Sequence, residues 1–156
     1  MNENDFYTFT EYMKKENNSL TASMEDYLEM IYRLSFKTGF TRIHDLSATL
    51  NVQPPSATKM VQKLAQLKLL KYEKYGVLVL EENGKKLGKL LLNRHNVIED
   101  FLRILDIPES DILNQTEQIE HTISKQTTKC FQDFIEFIKT NPNIADEFKS
   151  YRKKLK

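Results

Sequence analysis

Two consecutive prolines, Pro54 and Pro55, stand between two short amphipathic runs, and they restrict the fold of this chain more than any other feature. Proline suits the first turn of a helix, where its missing N–H would lack a partner anyway, and it disrupts a helix interior. The pair therefore opens a helix from Pro55 to about Leu67, with Ala57, Met60, Val61 and Leu64 on one face. Upstream, Ile43, Leu46 and Leu50 mark a short helix, and Asn51 stands where a tight turn needs a residue tolerant of positive φ. Two helices joined in this way form a helix-turn-helix, and the polar side of the second carries Ser56, Thr58, Lys59, Gln62 and Lys63, chemistry that suits a DNA groove. Leu70 to Lys74 and Val77 to Leu80, hinged at Tyr75-Gly76, then predict a two-stranded hairpin, the wing of a winged helix.

The flanking sequence predicts more helix. Ser23 fits an N-cap, Glu25 and Asp26 fit a first turn, and Tyr27, Leu28, Ile31 and Leu34 form an apolar stripe, so a helix is expected from about Met24 to Phe36. Beyond the wing, Leu87, Leu90, Leu91, Ile98, Phe101, Leu102 and Leu105 predict a long helix from about Glu82 that ends before Pro108. Gly84 and Gly88 read as close-packing positions in it, since each weakens a helix by ~1 kcal/mol relative to alanine. Two or three further helices fit the remainder: Asp111 to Ser124, Gln126 to Lys139 and Ile144 to Lys154. Phe131, Phe134, Ile135 and Ile138 would serve the intrachain core and a dimer seam. The expected architecture is mainly α. It comprises an N-terminal extension (1–22), a winged helix-turn-helix DNA-binding domain with a small β-hairpin wing (23–89), and an all-helical metal-binding and dimerisation domain (90–156).

Charge divides along the same line. The net charge of +1 conceals 12 Lys+Arg against 7 Asp+Glu in residues 24–94, and 4 against 11 in residues 95–148. Only the first part is suited to a polyanion. Lys59, Lys63, Lys71, Lys74 and Tyr75 are candidate backbone contacts to double-stranded DNA, and Ser56, Thr58 and Gln62 are candidate base-edge or groove contacts. The basic run Lys149, Arg152, Lys153, Lys154 and Lys156 fits a solvated helix end. The longest aliphatic stretches, Val77 to Leu80 and Leu90 to Leu92, are far too short to span a bilayer, so a cytoplasmic protein with no membrane partner is expected. The lone Cys130 rules out an internal disulfide framework and any Cys-rich metal site, and it fits helix packing. A metal would have to be held by oxygen and nitrogen.

Glu117, Glu120 and His121 share one helical face, and Asp26 and Glu29 repeat the spacing of acids three residues apart. With His95 they make four carboxylates and two imidazoles, which would balance two divalent cations and would repel one another when empty. Taken singly, Asp26 and Glu29 also fit as acids at a helix N-terminus, Glu117 and Glu120 as a solvated face, and His95 as a helix-surface residue; His44 reads as a surface residue. Periodicity does not show that these helices converge. Neither Glu-x-x-His nor His-Glu-x-x-His occurs, so a di-metal carboxylate enzyme lacks its motif, and no enzymatic activity is expected. A winged-helix regulator of some other signal, such as Fe(II), stays open.

The motifs Ser-Met-Glu-Asp-Tyr-Leu-Glu (23–29), Thr-Lys-Met-Val-Gln-Lys-Leu (58–64), Tyr-Glu-Lys-Tyr (72–75), Gly-Lys-Lys (84–86), Arg-His (94–95), Phe-Leu-Arg-Ile (101–104) and Ile-Glu-His (119–121) occur in that order. On these motifs the chain, from Met24 to about residue 140, resembles the manganese transport regulator group of the diphtheria-toxin-repressor family. The resemblance implies a homodimeric, Mn(II)-activated regulator that binds a palindromic operator and represses manganese-uptake genes. It also implies two Mn(II) ions per subunit, held by Asp26, Glu29, His95, Glu117, Glu120 and His121; bridging logic then makes Glu29 and Glu120 the carboxylates expected to be shared between the ions. Iron-responsive relatives have methionine where Asp26 stands and cysteine where Glu117 stands, so oxygen at both positions points to manganese. Departures from the pattern are the N-terminal extension and Pro55 and Ala57 early in the recognition helix. The SH3-like domain that ends the long relatives is not expected here.

Overall fold

The computed structural model describes residues 20–155, so most of the expected extension, residues 1–19, lies outside the described residues. The chain divides into two compact units, Met1–Leu91 and Leu92–Lys156. In the first, helix α1 (Ala22–Ser35) is followed by strand β1 (Thr41–Arg42), helices α2 (Ile43–Thr49) and α3 (Pro54–Gln66), and strands β2 (Leu70–Tyr72) and β3 (Val77–Leu80). The helix expected from Met24 starts two residues earlier, because Thr21 rather than Ser23 is the cap. The Thr21 Oγ1 accepts the Met24 N–H at 3.3 Å, satisfying one of the helix's orphan donors.

The turn between α2 and α3 is built on Asn51, whose φ is 51°, and the Val52 N–H closes it onto the Ser47 carbonyl at 3.0 Å. Both prolines lie in the first turn of α3, which begins one residue before the expected start. Leu28, Ile31, Leu46, Val61, Leu64, Leu69 and Leu78 are wholly excluded from solvent and form the core that fixes the three helices against the sheet. Each such side chain contributes ~1.5–3 kcal/mol on burial, so this core, and not intrinsic helix propensity, holds α2, which is only seven residues long.

The sheet is antiparallel in the order β1-β3-β2, and so contains one more strand than the expected hairpin. Thr41 and Arg42 pair with Leu78 and Val77, while Leu70, Lys71 and Tyr72 pair with Leu80, Val79 and Leu78. Leu78 and Leu80 point into the core, as the period-2 rule requires. At the wing tip Tyr75 and Gly76 have φ of 61° and 73°, and a Cβ on Gly76 would lie 2.9 Å from Ile43 Cγ2. Glycine meets both demands there.

Helix α4 (Glu82–Ile104) is about 35 Å long and contains the boundary between the units. A Cβ on Gly84 would come within 1.9 Å of the Leu69 carbonyl oxygen, and one on Gly88 within 2.7 Å of Tyr32 Cβ, so both glycines are the expected close-packing positions.

The second unit continues with α5 (Glu109–Glu120), α6 (Lys125–Thr140) and α7 (Pro142–Lys154). Ile98, Leu102 and Ile112 form its buried centre, with Ile107, Ile119 and Ile123 packed on it. Ser124, expected to end a helix, starts one instead: its hydroxyl accepts the Thr127 N–H at 3.1 Å, and α5 stops at Glu120 with His121 as its C-cap. Ile135 and Ile138 of α6 are buried, Phe131 stacks on Phe101 with ring centroids 4.1 Å apart, and Phe134 and Phe137 are partly exposed. Cys130 is exposed rather than packed. Among the described residues no helix is long and apolar enough to cross a membrane.

Candidate metal centre

In the first unit, α1 presents Asp26 at an exposed position and Glu29 at a buried one. The apolar stripe explains the difference: Leu28 and Ile31 turn the helix inward, and Glu29 lies beside them. Arg33, one turn further on, donates from Nη2 to Glu29 Oε1 and compensates its charge. His44 is exposed on α2, as expected.

In the second unit, α4 contributes His95 and α5 contributes Glu120, both among the few buried polar side chains. His95 Nδ1 lies 2.8 Å from Glu120 Oε2, and the other Glu120 oxygen lies 3.7 Å from His121 Nε2. Arg94 Nη2 donates to His121 Nδ1 across 3.5 Å, which turns Nε2 of that ring toward Glu120. One buried carboxylate thus stands between two imidazoles. Glu117, three residues before Glu120 on α5, is exposed.

A residue absent from the sequence reading completes this arrangement. Glu99 Oε1 lies 3.3 Å from His95 Nε2, and its Oε2 accepts Arg103 Nη2 at 3.2 Å. Arg103 also makes a two-pronged contact with Glu109, through Nη2 at 2.9 Å and Nε at 3.2 Å. Hydrogen bonding to Glu109 raises the Arg103 pKa well above its usual value, and the same bond holds the Glu109 carboxyl below its ordinary value. The signal for Glu99 was available in the four-residue separation His95-x-x-x-Glu99, which places both on one helical face.

The donor chemistry of the second unit, one buried carboxylate and two imidazoles with no sulfur, suits a divalent cation of the manganese-to-zinc series and disfavours soft ions. Burial excludes for Glu120 the solvated-face reading that its spacing alone also allows.

The candidate DNA face belongs to the first unit. Ser56, Lys59, Gln62 and Lys63 are exposed on α3, and Thr58 is half-buried. Lys71 and Lys74 are exposed on the wing, with Tyr75 at its tip 90% exposed. Lys71 shares its charge with Glu81, 3.6 Å away, so it has less to offer a phosphate than the two α3 lysines.

Residues 19–78 match the family description "Iron dependent repressor, N-terminal DNA binding domain", and residues 81–149 match "Iron dependent repressor, metal binding and dimerisation domain". The chain is 44% identical over 134 residues to the HTH-type transcriptional regulator MntR of Bacillus velezensis, and 43% identical over 134 residues to that of Bacillus subtilis. Each alignment covers 86% of this chain and 94% of the relative. Among solved structures, the manganese regulator SloR aligns with a TM-score of 0.65 and 29% identity over 73% of this chain. The apo form of the manganese-activated repressor ScaR aligns with a TM-score of 0.60 and 28% identity over 72%. In both cases the match spans 54% of the solved chain, about half its length. With both halves matched in order, the chain belongs to the iron-dependent repressor family: it is a metal-responsive DNA-binding transcriptional regulator that dimerises, and not an enzyme.

Proposed function

We propose that this protein is a Mn(II)-activated repressor of manganese-uptake genes that works in the cytoplasm as a homodimer on a palindromic operator. The observation that carries the metal part of this reading is the buried Glu120 carboxylate set between His95 and His121 in the dimerisation unit. Asp26, Glu29, His95, Glu117, Glu120 and His121 would hold two ions per subunit, and oxygen at positions 26 and 117 favours manganese over softer ions. A bound divalent ion supplies positive charge that offsets the mutual repulsion of these carboxylates. Ligands drawn from both units would tie the DNA reader to the dimerisation unit, so that two winged helices are held about 34 Å apart, one turn of DNA. The coupling required is ordinary, ~1–3 kcal/mol between metal and operator. Lys59 and Lys63 would provide salt-dependent phosphate affinity, aided by Lys71, Lys74 and Tyr75, while Ser56, Thr58 and Gln62 read the groove. The domain division that serves this mechanism is 23–89 for DNA and 90–156 for metal and dimerisation.

Fluorescence anisotropy on a palindromic operator, with Mn(II), Fe(II), Zn(II) or no metal, tests the reading. Tight binding with Mn(II) and weak binding without metal are expected; equal binding in all four conditions would overturn it.

A further inference from the structure

We infer that Glu99 is a positioning residue for His95: it holds the Nε2–H of the ring so that Nδ1 is the nitrogen offered to an ion shared with Glu120. This rests on the proposed metal-binding role of His95 and Glu120. Three observations carry it. First, the two ring nitrogens are differentiated by their partners, with Nδ1 at 2.8 Å from Glu120 and Nε2 at 3.3 Å from Glu99. An ion shared by His95 and Glu120 would therefore be held through Nδ1, which would leave Nε2 to keep its proton and donate it to Glu99.

Second, Glu99 has both oxygens engaged, Oε1 on His95 and Oε2 on Arg103, so its carboxylate is oriented before any ion arrives. Third, Arg103 is itself anchored by Glu109, the first residue of α5. The chain Glu109–Arg103–Glu99–His95 thus links the start of α5 to the imidazole. A half-buried carboxylate braced in this way acts through its neighbour, as an orienting group behind a ligand.

The test uses the full-length protein and Mn(II) titration, with free Mn(II) read by electron paramagnetic resonance, on wild type, Glu99→Ala, Glu99→Gln and Glu120→Ala. Loss of the acceptor in Glu99→Ala should weaken binding by about 10- to 100-fold. Glu99→Gln retains a carbonyl that can face Nε2, because Arg103 keeps Glu109 as its partner, so it should recover most of the affinity. A second readout is the His95 Nε2–H resonance in ¹⁵N-labelled, Zn(II)-loaded protein: visible in wild type and Glu99→Gln, lost to exchange in Glu99→Ala. Wild-type affinity in Glu99→Ala would overturn the inference, as would a Glu99→Gln variant as weak as Glu99→Ala, which would make Glu99 a ligand. Should Glu99→Ala fold poorly, Arg103→Met, which frees Glu99, should broaden the same resonance, and an unchanged resonance would overturn the inference. A wild type that binds no Mn(II), or a Glu120→Ala variant that binds as the wild type does, overturns the metal-site reading instead.

Discussion

Glu120→Ala acts on stability and metal response in opposite circumstances, which makes it a demanding test. The Glu120 side chain is 3% exposed, with Oε2 at 2.8 Å from His95 Nδ1 and Oε1 at 3.7 Å from His121 Nε2. Removing it deletes one short buried hydrogen bond to a charged group, ~1.5–3 kcal/mol, and leaves the His95 nitrogen without that acceptor. For a chain of this size the melting temperature of the metal-free protein should fall by roughly 3–12 °C. Mn(II) at a hundredfold excess over its Kd should stabilise the wild type by ~2.7 kcal/mol, or roughly 5–11 °C, and should stabilise the variant far less. Differential scanning calorimetry with and without Mn(II) measures both. If Mn(II) raises the variant's melting temperature as much as the wild type's, Glu120 is not a ligand; if the metal-free melting temperature is unchanged, the buried contact with His95 does not hold the unit together.

Three other perturbations probe different parts of the chain. Gly84→Ala gains ~1 kcal/mol of helix propensity but drives a Cβ against the Leu69 carbonyl, and overpacking of this kind costs ~1–3 kcal/mol or more; urea denaturation should show net destabilisation, and a more stable variant would mean that the start of α4 can shift freely. Lys59→Ala and Lys63→Ala should each weaken DNA binding for all sequences alike and reduce the salt slope by ~0.9, measured by anisotropy between low and moderate salt; an unchanged slope removes that lysine from the interface. Glu109 titrates below its ordinary value because of its bond to Arg103, so its stabilising contribution is present above the unfolded-state value of ~4.3 and is lost as pH falls through the lower folded-state value. Glu109→Gln should therefore show a shallower loss of stability in that acid window, by denaturation at stepped pH, and identical acid limbs would contradict the contact.

Much of the fold was legible because it rests on local rules. The stripes of α1, α3 and α4, the proline start of α3, the positive φ of Asn51 and the glycines of α4 all follow from periodicity, sterics and backbone freedom. What escaped was decided by competition between equivalent local choices. Thr21 and Ser23 carry the same hydroxyl, and only the path of the entering chain shows which one caps α1; Ser124 fits a helix start as well as an interior position near its end. Strand β1 has two residues, too few for any alternation, and exists because Leu78 and Val77 offer it an open edge.

The same division runs through the site. By itself the sequence determined which donors are available, carboxylates and imidazoles without sulfur, and which of them share a helical face, because a 3.6-residue period ties spacing to direction. Tertiary structure decided the environment of each donor. Glu117 and Glu120 lie one turn apart on α5 and look alike in the sequence, yet packing of Ile112 and Thr116 into the unit buries Glu120 and leaves Glu117 exposed. Likewise the contact of His95 with Glu99 lies within one turn of α4 and follows from spacing, whereas only the approach of α5 gives His95 its second carboxylate, Glu120, and brings Glu109 to Arg103. Burial and partnership between helices depend on contacts far apart in the chain, 25 residues for His95 and Glu120, and no local pattern encodes them.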